Sequence, residues 1–302
     1  MKLNFTGTGV ALVTPFHKYG AIDFGSLEKV VEHVVGNGVD YIVALGTTGE
    51  SVTLSHDEKN AVVDFIVETV NKRVPIVKGI GGNNTQDILN ILKSDSFEGI
   101  DAILSVSPYY NKPQQKGLYN HYKLIASASP VPIILYNVPS RTGSNIEAET
   151  TLQIAHDFNN IVAIKEASGN FGQIARIIKE KPKDFTVISG DDNLTLPLIA
   201  LGAKGVISVT ANVFPREFSI LVKHCLQGNF DKAAEIHFSL LNIMETLFED
   251  GSPAGVKAAL QILDLTQNYL RLPLVKVNKA IYIKLNTLIT DYLLTQNQKV
   301  LK

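Results

Sequence analysis

IVAIKEASG, residues 161–169, decides how the rest of the chain is read. At period two, Ile161, Ala163, Lys165 and Ala167 share one face, and Val162, Ile164 and Glu166 share the other. A short run that is apolar on both faces reads as a strand of a parallel sheet covered on both sides. Lys165 interrupts that run, and an ammonium group inside a sheet that is covered on both faces is costly. Working outward, similar Val- and Ile-rich runs recur at Val10–Thr14, Tyr41–Leu45, Pro75–Ile80, Ala102–Val106, Pro132–Asn137, Phe185–Ser189 and Gly205–Val209.

Segments of helical period separate these runs. Leu27, Val30, Val31 and Val34 fall at i, i+3, i+4 and i+7, one apolar stripe. Ser55 to Glu58 is a capping-box pattern opening a helix whose Val62, Val63, Ile66 and Val70 face inward. Thr85 is expected to cap the next, with Ile88, Leu89, Ile91 and Leu92 as its apolar face. Eight strand candidates, each followed by a helix, predict a closed (β/α)8 TIM barrel. The competing arrangement, an open doubly wound sheet, usually uses fewer strands. The chain also lacks its nucleotide fingerprint, since GIGGNNT at 79–85 does not have the G-x-G-x-x-G spacing. After Phe214-Pro215 only helical signal remains, which predicts a barrel over residues 1–224 and a C-terminal helical domain over 225–302.

Bulk composition narrows the function classes. The 302 residues carry a net charge of −1 with no block of like charge, so nothing points to nucleic acid or an anionic membrane. No run approaches the ~20 apolar residues needed to span a bilayer. The N-terminal MKLNFTGTGVALVTPF is broken by glycine and proline and is not expected to act as a signal peptide. The single Cys225 excludes an internal disulfide framework, reads as a small core residue and suits a reducing compartment. A soluble cytoplasmic protein is expected.

A barrel places its chemistry at the C-terminal ends of the strands. There the sequence holds Gly46-Thr47-Thr48-Gly49-Glu50-Ser51, Tyr109-Tyr110, Tyr136 to Gly143, Lys165, and Gly190-Asp191-Asp192. Lys165 has two readings. In one its stem packs inside and its head meets a carboxylate such as Glu166. In the other it is an imine-forming nucleophile, because an apolar site favours the neutral amine that attacks a ketone. Lowering a lysine pKa by ~3 units needs ~4 kcal/mol of differential solvation. Lys78 occupies a similar apolar strand, and strand position alone does not rank the two lysines. Tyr136 is a phenol suited to proton relay, or an aromatic filling the barrel mouth. Gly46 to Gly49 offers backbone N–H groups and two hydroxyls to a carboxylate, or is a capped turn. Arg141 is a forked donor for a second carboxylate, or a surface ion-pair partner. Asp191-Asp192 lacks the His or Glu companions of a metal site, so no metal is expected.

Taken together, GTGVALVTPF, ALGTTGES, SPYYNKPQQKGLYNHY, ILYNVPSRTG, IVAIKEASGN, SGDD and GAKGVISVTANVFP resemble the dihydrodipicolinate synthase family of pyruvate-dependent class I aldolases. They occur in family order over about residues 7–215. The resemblance implies condensation of pyruvate with L-aspartate 4-semialdehyde through a lysine Schiff base, the first committed step of diaminopimelate and lysine biosynthesis. No metal or organic cofactor is implied. It gives the imine to Lys165 and not to Lys78, and the proton relay to Thr48, Tyr136 and Tyr110, the last lent by a neighbouring subunit of a tetramer built from tight dimers. It has Thr47 and Thr48 hold the pyruvate carboxylate, Gly190 and Ile207 line the site, and Arg141 bind the second substrate. The SRTG following YNVP favours this activity over the alternative, an N-acetylneuraminate lyase-like or other 2-keto-acid aldolase of the same family. Ser51, His56, Asn83, Asp87 and Tyr109 match the region where some relatives bind inhibitory lysine. Lys59 and Asp87 depart from the sensitive pattern, so weak or absent feedback is expected.

Overall fold

A computed structural model describes residues 5–300, with side chains described up to residue 296. Residues 1–4 and 301–302, the outer ends of the two expected domains and the start of the N-terminal stretch, lie outside the described residues. Eight strands form a closed barrel in sequence order: β1 Gly7–Ala11, β2 Tyr41–Ala44, β3 Ile76–Gly79, β4 Ala102–Val106, β5 Ile133–Asn137, β6 Ile161–Glu166, β7 Thr186–Ser189 and β8 Gly205–Ser208. All neighbours pair in parallel, and β1 closes on β8 through Gly7 opposite Gly205.

The helices are α1 Phe24–Gly36, α2 His56–Val70, α3 Thr85–Ser94, α4 Gln115–Ala128, the single turn α5 Pro139–Thr142, α6 Ala148–Asp157, α7 Phe171–Glu180, α8 Thr195–Leu201 and α9 Pro215–Leu226. Three more follow: α10 Phe230–Glu249, α11 Ala254–Ile262 and α12 Lys279–Val300. The apolar stripes expected on α1 and α2 are buried. The capping box forms, with Ser55 Oγ accepting from the Glu58 N–H at 3.2 Å and Glu58 returning to the Ser55 N–H at 2.9 Å. No helix among the described residues is long and apolar enough to cross a membrane.

Three local expectations are corrected. The first strand is Gly7–Ala11 rather than Val10–Thr14. Gly9 faces the Tyr41 ring so closely that a Cβ would lie 2.2 Å from it, so glycine replaces the apolar residue that would have marked the strand. The cap of α3 is Asn84, whose side chain accepts from the Gln86 N–H at 3.1 Å. Thr85 is instead the first helical residue, and its hydroxyl meets His121 Nδ1 at 2.8 Å. In β6 the pairing shifts from Ile133 opposite Ile161 to Ile134 opposite Ala163. This irregularity puts Ile161 among the residues packed against helices, while Val162 and Ala163 belong to the barrel interior. Inward–outward alternation therefore begins at Ala163, and Lys165 points into the barrel with Glu166 outward.

The barrel interior is filled by Tyr41, Val43, Val77, Leu104, Ile134, Tyr136, Ala163, Ile188 and Ile207, among others. A second and larger apolar layer lies between the strands and the helices. Helix α10 packs against α8, α9 and α12, so the C-terminal helices are continuous with that outer layer.

Candidate active site

Strands β5 and β6 bring the two central residues together by register: Tyr136 pairs with Lys165, and Asn137 with Glu166. Lys165 is 5% exposed, and its Nζ lies 4.3 Å above the centre of the Tyr136 ring. Both line a cavity of about 140 Å³ at the C-terminal end of the barrel, with Thr47, Thr48, Arg141, Gly190 and Asp191. The cavity thus gathers an amine, a phenol, two hydroxyls, a guanidinium and a carboxylate around a volume suited to a small organic acid.

Glu166, one candidate partner for the lysine head, does not meet it. Its carboxylate faces outward and accepts from Asn137 Nδ2 at 2.6 Å, Gln173 Nε2 at 3.0 Å and the Ser168 hydroxyl at 2.5 Å. Burial raises its pKa, and these donors partly offset the rise. Asp191 is the carboxylate that faces Lys165. Burial raises its pKa, the Lys165 charge opposes that rise, and Asp192 adds to it. Asp192 is committed elsewhere: its Oδ2 accepts from the Val209 N–H at 3.1 Å and from the Thr210 N–H and hydroxyl, both at 2.7 Å. The pair seen in the sequence as SGDD therefore divides, one member facing the cavity and the other tying β7 to the end of β8. Among the described residues no three of His, Cys, Asp and Glu cluster as a metal would require.

Gly190 is fixed by contact. A Cβ there would lie 2.6 Å from Ala167 Cβ, 3.0 Å from the Glu166 carbonyl and 3.1 Å from Lys165 Cε. Thr47 to Gly49 form a 3-10 turn after β2, held where the Thr14 hydroxyl donates to the Gly49 carbonyl at 2.7 Å. Arg141 lies on α5, exposed, with Nη2 donating to the Ser252 carbonyl at 3.4 Å. Among the described residues it makes no ion pair, so its reading as a surface salt-bridge residue is not realised.

Other residues singled out in the sequence lie apart from this cavity. Ile207 is fully buried in the barrel interior beside Tyr136 and Ile188. Tyr110 is 89% exposed and has φ +74°, a backbone conformation disfavoured for a bulky residue. Ser51, His56, Lys59 and Tyr109 line a second cavity of about 460 Å³ that adjoins the first through Thr47, Tyr136 and Arg141. Asn83 and Asp87 are exposed at the start of α3 and do not line it. Lys78 does line it, but its Nζ is held at 2.6 Å by Asp95, with both side chains buried. Structure thus separates the two strand lysines: one is ion-paired outside the barrel wall and the other faces the inner cavity.

Sequence reasoning missed Phe248 and Ser252, which line the inner cavity from the α10–α11 junction. They come from a region that reads only as helix packing, and no local motif marks them.

Comparison with known proteins gives a consistent picture. A sequence model of the Dihydrodipicolinate synthetase family matches residues 4–292. A 4-hydroxy-tetrahydrodipicolinate synthase of Parabacteroides distasonis is 53% identical over 283 residues, covering 94% of this chain and 95% of that protein. The dihydrodipicolinate synthase structure of Aquifex aeolicus superposes with a TM-score of 0.92 at 42% identity, covering 95% and 98% of the two chains. That of Acinetobacter baumannii, solved in complex with pyruvate, gives 0.93 at 40% identity, covering 96% and 99%.

Proposed function

The chain belongs to the dihydrodipicolinate synthetase family, and from that premise we propose that Lys165 is the Schiff-base nucleophile of a 4-hydroxy-tetrahydrodipicolinate synthase. The enzyme condenses pyruvate with L-aspartate 4-semialdehyde in the diaminopimelate route to lysine. The observation that carries the residue assignment is the buried Lys165 amine above the Tyr136 ring, inside a cavity that also presents Thr47, Thr48 and Arg141.

The steps follow from those positions. The Lys165 amine attacks the keto carbon of pyruvate. The new oxygen takes one proton from the nitrogen and one through the Tyr136 relay, and leaves as water. The protonated imine draws electrons from the methyl group, which returns a proton to the relay and becomes an enamine. The enamine carbon attacks the aldehyde, whose oxygen takes up a proton as a hydroxyl. The amino group of the second substrate then displaces Lys165 and closes a six-membered ring. Lysine supplies the electrophilic catalysis, so no metal or organic cofactor enters.

Thr47 and Thr48 hold the pyruvate carboxylate, with Thr48 continuing the relay, while Gly190 keeps the wall beside the imine close and Ile207 packs the barrel interior. Arg141 takes the carboxylate of the aldehyde, since it borders the inner cavity with no anionic partner among the described residues. That guanidinium favours the synthase over an N-acetylneuraminate lyase-like activity. Tyr110 completes the relay across a tight dimer, and two dimers form a tetramer; its exposure and positive φ support a residue shaped for a partner's site. Residues 225–302 act as the helical domain of each subunit in a cytoplasmic enzyme. The region of Ser51, His56, Lys59, Asn83, Asp87 and Tyr109 responds weakly or not at all to lysine, because the Lys59 ammonium on its cavity opposes an incoming cation.

Reduction with borohydride in the presence of pyruvate, followed by peptide mass mapping, tests the assignment. The adduct is expected on Lys165. An adduct found only on Lys78 would overturn it.

A further inference from the structure

Glu50 follows directly on the Thr47–Gly49 turn and is the least expected residue in it. It has φ +52° and ψ 33°, a left-handed conformation that costs a side-chain-bearing residue about 1–2 kcal/mol. Glycine or asparagine would adopt it more readily, yet the position holds a carboxylate that is 1% exposed. Its Oε1 accepts from Lys257 Nζ on α11, and its Oε2 from the Arg271 backbone N–H at 3.0 Å. Lys257 is fully buried and also donates to the Tyr269 carbonyl at 2.9 Å.

Arg271 extends the same network. It donates to the Gly20 carbonyl at 2.6 Å, to the Thr53 carbonyl at 2.8 Å and to both oxygens of Glu58, the residue of the α2 capping box. Both cations lie over the Phe16 ring, Lys257 Nζ 4.1 Å and the Arg271 guanidinium carbon 4.6 Å from its centre. Apart from the Lys257–Tyr269 bond, these contacts join the β2–α2 region, with Phe16 and Gly20, to the segment around α11. A buried ion pair is often no more stabilising than apolar residues of the same volume, so bulk stability is a weak account of this one. What it does is set direction: it fixes the turn at its strained end from the C-terminal helices.

We propose that Glu50, Lys257 and Arg271 are positioning residues through which the C-terminal helices hold the Thr47–Thr48 turn in register for the carboxylate of the keto acid. The inference rests on the reading of that turn as the pyruvate subsite. None of the three residues touches substrate. Arg141, which takes the second substrate, is outside the network.

Borohydride trapping titrated with pyruvate, combined with steady-state kinetics on both substrates, tests it. Lys257→Met removes the ammonium with little change in volume. In folded protein, judged by circular dichroism, it is expected to raise the half-saturating pyruvate for trapping at least tenfold. Saturating pyruvate still modifies Lys165, and the KM for the aldehyde stays within twofold. Glu50→Gln retains an acceptor but loses the charge, and should shift the same constant in the same direction by less. It also supplies the measurement if Lys257→Met does not fold. Half-saturation within twofold of the parent in a folded variant, or equal changes for both substrates, overturns the proposal. Failure of the unmodified protein to trap pyruvate on Lys165 instead overturns the reading of the site.

Discussion

Gly190→Ala adds one methyl group beside Lys165, and the consequence can be worked out from distances. The new Cβ would lie 2.6 Å from Ala167 Cβ, 3.0 Å from the Glu166 carbonyl and 3.1 Å from Lys165 Cε. Carbon atoms rest about 3.5–4.0 Å apart, so Ala167 must recede by about 1 Å and the lysine stem by about half that. Ala167 is backbone-bonded to the Asn137 carbonyl at 2.9 Å, and Gly190 to the Glu166 carbonyl at 2.7 Å, so neither edge gives way freely. The larger shift falls on the backbone-anchored Ala167, and the flexible lysine stem is pushed aside by the smaller amount. Overpacking of this kind costs about 1–3 kcal/mol of stability. A reacting group displaced by a fraction of an ångström to 1 Å loses up to about 100-fold in rate. The variant is expected to fold, to melt several degrees lower, and to form the trapped pyruvate adduct on Lys165 about 10–100-fold more slowly in single-turnover borohydride experiments. Gly190 is not among the positive-φ glycines, so backbone strain does not confound the result. A folded variant that traps pyruvate at the parent rate would refute the claim that the Gly190 wall holds the nucleophile in place.

Arg141→Ala removes a charge-assisted contact worth about 1.5–3 kcal/mol, so the KM for the aldehyde should rise about 10–100-fold with the pyruvate titration of trapping unchanged; an equal shift in both would contradict the assignment. L-Lysine below millimolar concentration should leave the steady-state rate essentially unaffected, and clear inhibition there would contradict the weakening role given to Lys59. His121 gives a pH signature. Burial lowers its pKa to about 4, below the unfolded value near 6.5, so the folded protein binds fewer protons across that interval. Its contribution is complete above pH 6.5 and is lost as the pH falls toward 4, on the order of 3 kcal/mol in all. His121→Asn should flatten part of the decline in melting temperature between pH 6.5 and 5, to which His33 and His237, whose pKa values burial also lowers, contribute in the same direction. An unchanged slope would refute it. Glu58 does not interfere in that window, because Arg271 lowers its pKa to about 2 and its loss begins only below pH 4.5.

How far the sequence could be read depended on the range of each interaction. Apolar runs and helical stripes are local, and they were sufficient for eight strands and a closed barrel. The first strand was displaced because its inward position is glycine, made necessary by a ring on the next strand. Lys78 and Lys165 look alike within their own strands. What separates them is Asp95, at the far end of α3, where no period or spacing marks it as the partner. Glu50 and Lys257 are 207 residues apart, and neither is unusual until the fold brings them together. Phe248 and Ser252 reach the cavity for the same reason. The motif residues of the site were legible because each follows a strand, where the barrel geometry itself says which end carries chemistry.

The IVAIKEASG stretch shows why strand alternation matters for the chemistry as well as for the fold. Beyond the irregularity at Val162, Lys165 points inward and Glu166 outward, and across the pairing Tyr136 points inward and Asn137 outward. The outward pair is bonded side chain to side chain at 2.6 Å, and Gln173 on α7 and Asn145 close the network around it. Each inward functional group is therefore one residue away from an outward group locked to its neighbour. A slip of β5 against β6 would break the outer contacts and move Lys165 off the Tyr136 ring together, so the outer polar network stabilises the register on which the inner geometry depends. A buried carboxylate next to a buried lysine in sequence invites the reading of an ion pair. Two-residue periodicity rules that pairing out within the strand, and it leaves the Lys165 amine facing the cavity with Asp191 as the nearby acid.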